Sequence, residues 1–309
     1  MRTSRVALIG LIVFSTAREL VAEPGRDAGG VSKSAPSSSG GVGPLAQKDS
    51  KADQANAPVP EKELILPGES FVVAGRPAFI LLPAKEKRQT PQPWILYAPT
   101  LPAYPDTHEK WMHEQFLKAG VAVAGIDVGE AYGSPKSREF FTKLYDELTE
   151  KRGFAARPCL LGRSRGGLWV SSWAIANPDK VAGIAGIYPV FDVRTYPGLK
   201  VAAPAYDLTP EQLEAQLGDL NPIEQVKTLA AHRVPAFFIH GDDDKVVPLK
   251  ENSAEFATRY QAAGAGDAVT LVVAKGQGHN FWEGFFRCQE LVDFTIARAR
   301  ANSALETRK

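Results

Sequence analysis

The chain has 309 residues, 44% of them hydrophobic and 23% charged, and 36 Lys and Arg against 35 Asp and Glu leave a formal net charge of +1. This balance suits a globular protein of one large domain or two small ones. It excludes a nucleic-acid reader built on a basic stripe and a chain dominated by an acidic, solvating tail, so function has to come from a local site.

The first element in chain order reads as an export signal. Arg2 and Arg5 precede the apolar run Val6 to Phe14, and cleavage is expected after Ser15-Thr16-Ala17 or after Ala22. The run is shorter than the about 20 residues of a membrane span, which favours a signal over residues 1–22 rather than an uncleaved anchor. Residues 23–60 are rich in Gly, Ser, Ala and Pro with almost no large apolar side chain, and read as a flexible linker. A folded domain is expected over 61–301, followed by a short tail, 302–309.

Within the domain, ESFVVAGRPAFILLPA predicts a hairpin of two strands around Ala74-Gly75. Trp94 to Ala98 is a short apolar strand, and His108 to Ala119 has helical spacing closed by Gly120. Val121 to Val128 is a strand, and Ser134-Pro135 opens a helix to about Lys151, with Pro135 where no N–H is needed. Then come a strand over Pro158 to Leu161, a Gly-Arg-Ser-Arg-Gly-Gly turn, and a helix from Leu168 to Ala176. Val181 to Val190, Ala236 to His240 and Val269 to Ala274 are further strands; Pro248 to Ala263 and Glu283 to Ala301 are helices. The mixed region 191–231, with a helix from about Pro210 to Leu217, reads as a small cap over the site. The strands are nearly continuous apolar runs, as in parallel strands buried on both faces. Their alternation with helices predicts a doubly wound, mostly parallel α/β sheet after an N-terminal antiparallel hairpin. Ligands of such sheets bind beyond the carboxyl ends of the strands.

Three strand ends carry chemistry. Ser164 sits in GRSRGG, Asp244 in HGDDDKVVP and His279 in GQGHNFW, in the chain order Ser, Asp, His. A serine on a sharp strand-to-helix turn needs neighbours without a Cβ, which Gly162 and Gly166 provide. Of the five histidines, His279 lies in a loop free to reach Ser164; His232 is at the wrong end of its strand, and His240 reads as a partner of the turn that follows it. His108 and His113 are five apart, which turns their rings about 140° from each other on a helix and argues against a zinc site. Asp244 is preferred as the acid, with Asp192 as its rival, and the Asp242 to Asp244 run lacks the further oxygens of a calcium loop. No metal or other cofactor is called for.

An oxyanion hole needs two backbone donors. One is the N–H of Arg165; the other is expected from Leu101 or Thr100, with Leu101 preferred, because Pro99 and Pro102 have no N–H. Thr100, Glu130, Tyr132 and Trp282 are candidate substrate contacts, each with a packing role as the alternative. The Arg165 side chain reads first as the partner of a buried acid and second as a charge near the oxyanion. Cys159 and Cys288 lie in apolar surroundings and read as buried thiols in preference to a disulfide.

On GRSRGG, HGDDDKVVP and GQGHNFW the chain resembles the α/β-hydrolase superfamily, in its prolyl oligopeptidase-like or dienelactone hydrolase-like branch. The resemblance implies Ser164 as nucleophile, His279 as base and Asp244 as orienting acid. The chain departs from the peptidases in having no room for a propeller, from dienelactone hydrolases in using Ser for Cys, and from HGGG esterases in Pro99-Thr100-Leu101. The expectation is an exported, secreted or periplasmic serine hydrolase of a carboxylic ester, borne on a small molecule or a polymer. An acetylated or phenolic-acid-bearing carbohydrate and a polyester are the substrate classes in view, and a small peptidase or aminopeptidase is the alternative. No nucleic acid partner, and no membrane partner after signal removal, is expected.

Overall fold

A computed structural model of the protein describes residues 19–20 and 62–306. Apart from Glu19 and Leu20, the expected signal and linker lie outside the described residues, as do the last three residues of the expected tail.

The strands are β1 (Glu19–Leu20), β2 (Gly68–Val73), β3 (Arg76–Leu81), β4 (Trp94–Ala98), β5 (Ala122–Ile126), β6 (Cys159–Arg163), β7 (Gly183–Ile187), β8 (Ala236–Gly241) and β9 (Val269–Ala274). They form one sheet in the order β1-β9-β8-β7-β6-β4-β5-β3-β2. All pairings from β5 to β1 are parallel; β2 and β3 are antiparallel to each other, and β3 is antiparallel to β5. The hairpin turns at Ala74 and Gly75, both at positive φ, the two-residue geometry that matches strand twist. This is the α/β-hydrolase fold, as the sequence pattern implied.

Alternation along each strand feeds two cores. In β4, Trp94, Leu96 and Ala98 face one layer and Ile95 and Tyr97 the other. The first layer is covered by α2 (Pro135–Asp146) and α3 (Gly166–Ala176), which follow α1 (Lys110–Lys118) in the chain. On the other layer α1 brings Met112 and Phe116. After β7 come four short helices, α4 (Leu199–Ala202), α5 (Pro210–Ala215), α6 (Leu217–Leu220) and α7 (Val226–Ala231). Beyond β8, α8 (Glu255–Ala262) joins the first layer, while α9 (Glu283–Phe286) and α10 (Gln289–Glu306) join the second. No described helix is long and apolar enough to cross a membrane.

Several boundaries differ from the sequence pattern. The helix after Ser164 begins at Gly166, not Leu168, because the turn leads directly into it. The last expected helix is two, interrupted at Arg287 and Cys288, and α10 runs past Ala301 to Glu306. The 191–231 insertion packs into the same core as α3 through Leu213, Leu217 and Ile223, and of its side chains only Tyr196 reaches the cavity beside Ser164. Cys159 and Cys288 are separate buried thiols, and burial pushes both thiols up.

Close packing around the Ser164 turn leaves no room at Gly166, where an added Cβ would overlap the backbone carbonyl of Ala98. Gly166→Ala is therefore expected to cost about 3 kcal/mol or more of stability, since the obstacle is backbone and cannot swing away. Urea denaturation checks this; a midpoint equal to wild type would show that β4 and α3 separate easily.

Candidate active site

Ser164 lies between the end of β6 and the start of α3, at a φ of 51°, in the left-handed region that a residue with a side chain seldom adopts. Three backbone hydrogen bonds hold it there. Its N–H donates to the Ile187 carbonyl at 3.0 Å, and its carbonyl accepts from the N–H groups of Gly167 and Val190, both at 2.9 Å. The turn thrusts the hydroxyl above the sheet.

The loops after β8 and β9 bring the other two residues to it. Ser164 Oγ is 2.9 Å from His279 Nε2, and His279 Nδ1 is 2.8 Å from Asp244 Oδ2. The other Asp244 oxygen accepts from the N–H groups of Val246 and Val247 at 2.9 and 2.8 Å. His240 Nε2 stands 3.4 Å from the carboxylate, and the ring is fixed by the Val247 carbonyl at Nε2 and by Ser253 Oγ at Nδ1. Burial alone would raise the Asp244 carboxyl, but hydrogen bonds from His240, His279 and the Val247 amide outweigh it and hold the group well below the usual carboxylate range. Asp192, the rival acid, is engaged elsewhere, with Arg194 and Asn221. Asp242 accepts from the Gly276 N–H, and Asp243 pairs with Lys245.

The remaining histidines diverge. His108 stacks on Phe281 at the surface, with ring centroids 4.3 Å apart. His113 is fully buried against Tyr97 and Phe116, has no hydrogen-bond partner for either ring nitrogen among the described residues, and burial lowers its pKa to about 3. Among the described residues no group of three or more His, Cys, Asp or Glu is placed to hold a metal ion.

A cavity of about 200 Å³ opens beside Ser164. Its walls include Pro99, Tyr104, Arg163, Arg165, Tyr188 and Tyr196. Thr100, Leu101, Glu130, Tyr132 and Trp282 are not among them. The Thr100 hydroxyl is turned onto the Ile126 carbonyl, Trp282 packs edge-on against Phe285, and the Tyr132 carbonyl accepts from Tyr206. Burial, and then Glu130, pushes the Tyr132 phenol up to about 12. Glu130 pairs with Arg165 Nη1 at 3.1 Å, so the partner of Arg165 is an acid, although a largely exposed one.

The sequence motifs do not announce the charge cluster behind the nucleophile. Arg163 is 4% exposed and donates to Asp106 and Glu109, each at 2.9 Å. Tyr97 donates to the other oxygen of Glu109 at 2.5 Å. Burial raises the Glu109 pKa, and Arg163 and Tyr97 oppose it. Tyr188 packs on the His279 ring at 4.3 Å. Lys62 is a second unheralded residue. Its ammonium donates to the carbonyls of Thr100 and Leu101 at 2.9 and 2.5 Å. In a trans peptide C=O and N–H point in opposite directions, so the Leu101 N–H is directed away from Lys62.

The fold and the serine at its turn define a serine hydrolase of the α/β-hydrolase class. The model of the prolyl oligopeptidase family matches residues 130–295, and the chain belongs to that family. No curated protein matches the sequence. Among solved structures, a puromycin-hydrolysing peptidase of Mycobacterium tuberculosis is similar with a TM-score of 0.57 and 15% identity over 76% of this chain and 40% of that one. Est1E from Butyrivibrio proteoclasticus gives 0.56 and 17% over 75% and 98%, and MPT51 (FbpC1) of Mycobacterium tuberculosis gives 0.60 and 14% over 76% and 99%. The chain thus spans 40% of the length of the mycobacterial peptidase and nearly all of Est1E and MPT51. At these identities the likeness is one of fold.

Burial pulls the Lys62 ammonium down to about 8, with Asp127 opposing, against an ordinary value of 10.5. Between those values the unfolded chain binds more protons than the folded one, so this group makes stability rise with pH across the window. Lys62→Met is expected to lose about 1–3 kcal/mol with its two hydrogen bonds. The difference in denaturation midpoint between wild type and Lys62→Met should widen as pH goes from about 8 to about 10. A difference that narrows would mean the ammonium is solvated in the folded protein.

Proposed function

We infer that this protein hydrolyses carboxylic esters through an acyl-enzyme on Ser164. The observation that carries the reading is the continuous hydrogen-bonded series Ser164, His279, Asp244 at the mouth of a small cavity. In this mechanism Ser164 Oγ attacks the ester carbonyl carbon as its proton passes to His279 Nε2. Asp244 fixes the Nδ1–H tautomer and stabilises the imidazolium. The oxyanion is received by the Arg165 N–H at the start of α3, and the Leu101 N–H, which turns away from Lys62 but lies outside the cavity wall, is its second donor if the loop after β4 closes on the substrate. Collapse breaks the bond to the leaving oxygen, which takes the proton from His279. Water then enters, gives its proton to His279 and releases the acid.

Two features favour esters over peptides. Among the described residues no Asp or Glu lines the cavity, so none of them offers a carboxylate to the ammonium of a peptide terminus. The exposed ring of Phe281 at the rim suits a bulky alcohol such as a sugar or a polymer chain. Acetylated or phenolic-acid-bearing carbohydrates and polyesters are the substrate classes proposed. The Arg2 to Phe14 pattern supports action outside the cytoplasm after removal of the signal, and of the two expected cleavage points only the one after Ala17 leaves β1 on the sheet.

Ser164→Ala is expected to abolish labelling by a fluorophosphonate and to lower ester turnover by about 10⁴-fold or more, with the fold retained. Persistent labelling would overturn the nucleophile, and matched rates on an ester and an anilide decide between esterase and peptidase. Asp244→Asn is expected to lower kcat by about 10⁴-fold through the wrong imidazole tautomer, whereas Asp192→Asn should leave the chemical step intact. The opposite ranking in steady-state kinetics would reassign the acid.

A further inference from the structure

We propose that the Arg165 side chain selects esters whose acyl part ends in a carboxylate. The inference rests on the ester-hydrolase reading and narrows it: of the classes named there, a polyester end built on a dicarboxylic acid carries such an acyl group, whereas acetyl and phenolic acyl groups do not. Two arginines and three tyrosines, Tyr104, Tyr188 and Tyr196, stand on the cavity walls, and no acid stands with them among the described residues. The arginines differ. The Arg163 charge is matched inside the protein by Asp106 and Glu109. Among the described residues Arg165 has one ion pair, to Glu130, whose side chain is 42% exposed and therefore well screened. The Arg165 Nε is buried with no hydrogen-bond partner among the described residues, and the guanidinium carbon lies 5.8 Å from the centre of the Tyr104 ring. The rest of the guanidinium borders the cavity, where a ligand carboxylate can meet it in the planar geometry that guanidinium favours.

Sheet order says which half of the ester this charge faces. His279 follows β9, and Glu130, which anchors Arg165, follows β5. In the order β9-β8-β7-β6-β4-β5 these two loops lie on opposite sides of β6, the strand that carries Ser164. His279 must protonate the leaving alcohol, so the alcohol lies on the β9 side. Arg165 is across the nucleophile from it, on the side that the acyl group shares with the oxyanion donors of Arg165 and Leu101. The preferred substrate is thus a half-ester of a short dicarboxylic acid, or an ester of an acyl group with a terminal carboxylate of similar reach.

The test compares ethyl hydrogen succinate with ethyl butyrate, in which a methyl replaces the carboxylate, by pH-stat at neutral pH. Wild type is expected to favour the succinate by about 10-fold or more in kcat/KM, the size of one charge-assisted hydrogen bond. The preference should shrink as salt is raised. Arg165→Met should remove it, and Arg165→Lys should keep part of it; taking the ratio of the two esters cancels any loss common to both. A wild-type ratio at or below one, or a ratio unchanged in Arg165→Met, overturns the proposal. If Arg165→Met does not fold, the wild-type ratio and Arg165→Lys decide. Turnover of butyrate with Ser164 labelled but no preference for succinate sinks this proposal alone. Failure of both esters, together with an unlabelled Ser164, sinks the ester-hydrolase reading and this proposal with it.

Discussion

The left-handed backbone of Ser164 is the constraint around which the structure is arranged. A residue with a Cβ in that conformation costs about 1–2 kcal/mol relative to ordinary backbone. Hydrogen bonds to the Ile187 carbonyl and from the Gly167 and Val190 amides offset the cost. These bonds tie β6 to β7 and to the first turn of α3, and they form only if α3 comes down on β4 with nothing between. Gly166 permits that approach at the Ala98 carbonyl, Gly162 permits it at Gly167, with 2.9 Å from an added Cβ at Gly162 to the Gly167 Cα, and Gly167 leaves room for the Val190 backbone. Strand order, helix contact and hydroxyl direction are therefore settled together at one turn.

Around that turn the protein separates charges by depth. Arg163 points into the molecule, where Glu109 and Tyr97 complete a buried hydrogen-bonded group, while Arg165 points along the cavity. Removing one partner of the buried set would leave the other uncompensated in a low-dielectric region, which makes the set a rigid floor under the nucleophile. Tyr188 carries that floor across to the His279 ring. On the opposite flank, Lys62 holds the loop after β4 by its carbonyls. The first described residue of the domain thus steadies a segment that lies beside the reacting atoms.

Residues whose position follows from strand ends were legible in the sequence. Ser164, Asp244 and His279 each follow an apolar run, and the parallel sheet converges all such loops on one edge. The hairpin was legible because Ala74-Gly75 interrupts clear alternation. What local pattern does not carry is pairing at a distance. Lys62 and Leu101 are 39 residues apart, and nothing near Lys62 announces a buried ammonium. Asp106 and Glu109 sit in an unremarkable loop and helix start; their role appears only when β6 delivers Arg163 to them. Glu130 was legible as a residue on the productive edge, but its placement beside Arg165, and outside the cavity wall, depends on how β5 and β6 flank β4. The break between α9 and α10 at Arg287 and Cys288 falls inside a run whose helical pattern is continuous, so packing against the sheet decides it.

The two cysteines have a use that follows from where they lie. Cys159 opens β6, beneath the turn that carries Ser164, and is fully enclosed, while Cys288 lies at the break between α9 and α10. Burial suppresses the thiolate at both, so an alkylating reagent meets no reactive sulfur until the surrounding structure opens. The Cys159 thiol then reports breathing of the central sheet, and the Cys288 thiol reports release of the last helix. The protein carries two built-in clocks for local opening, one under the nucleophile and one at the edge of the second core.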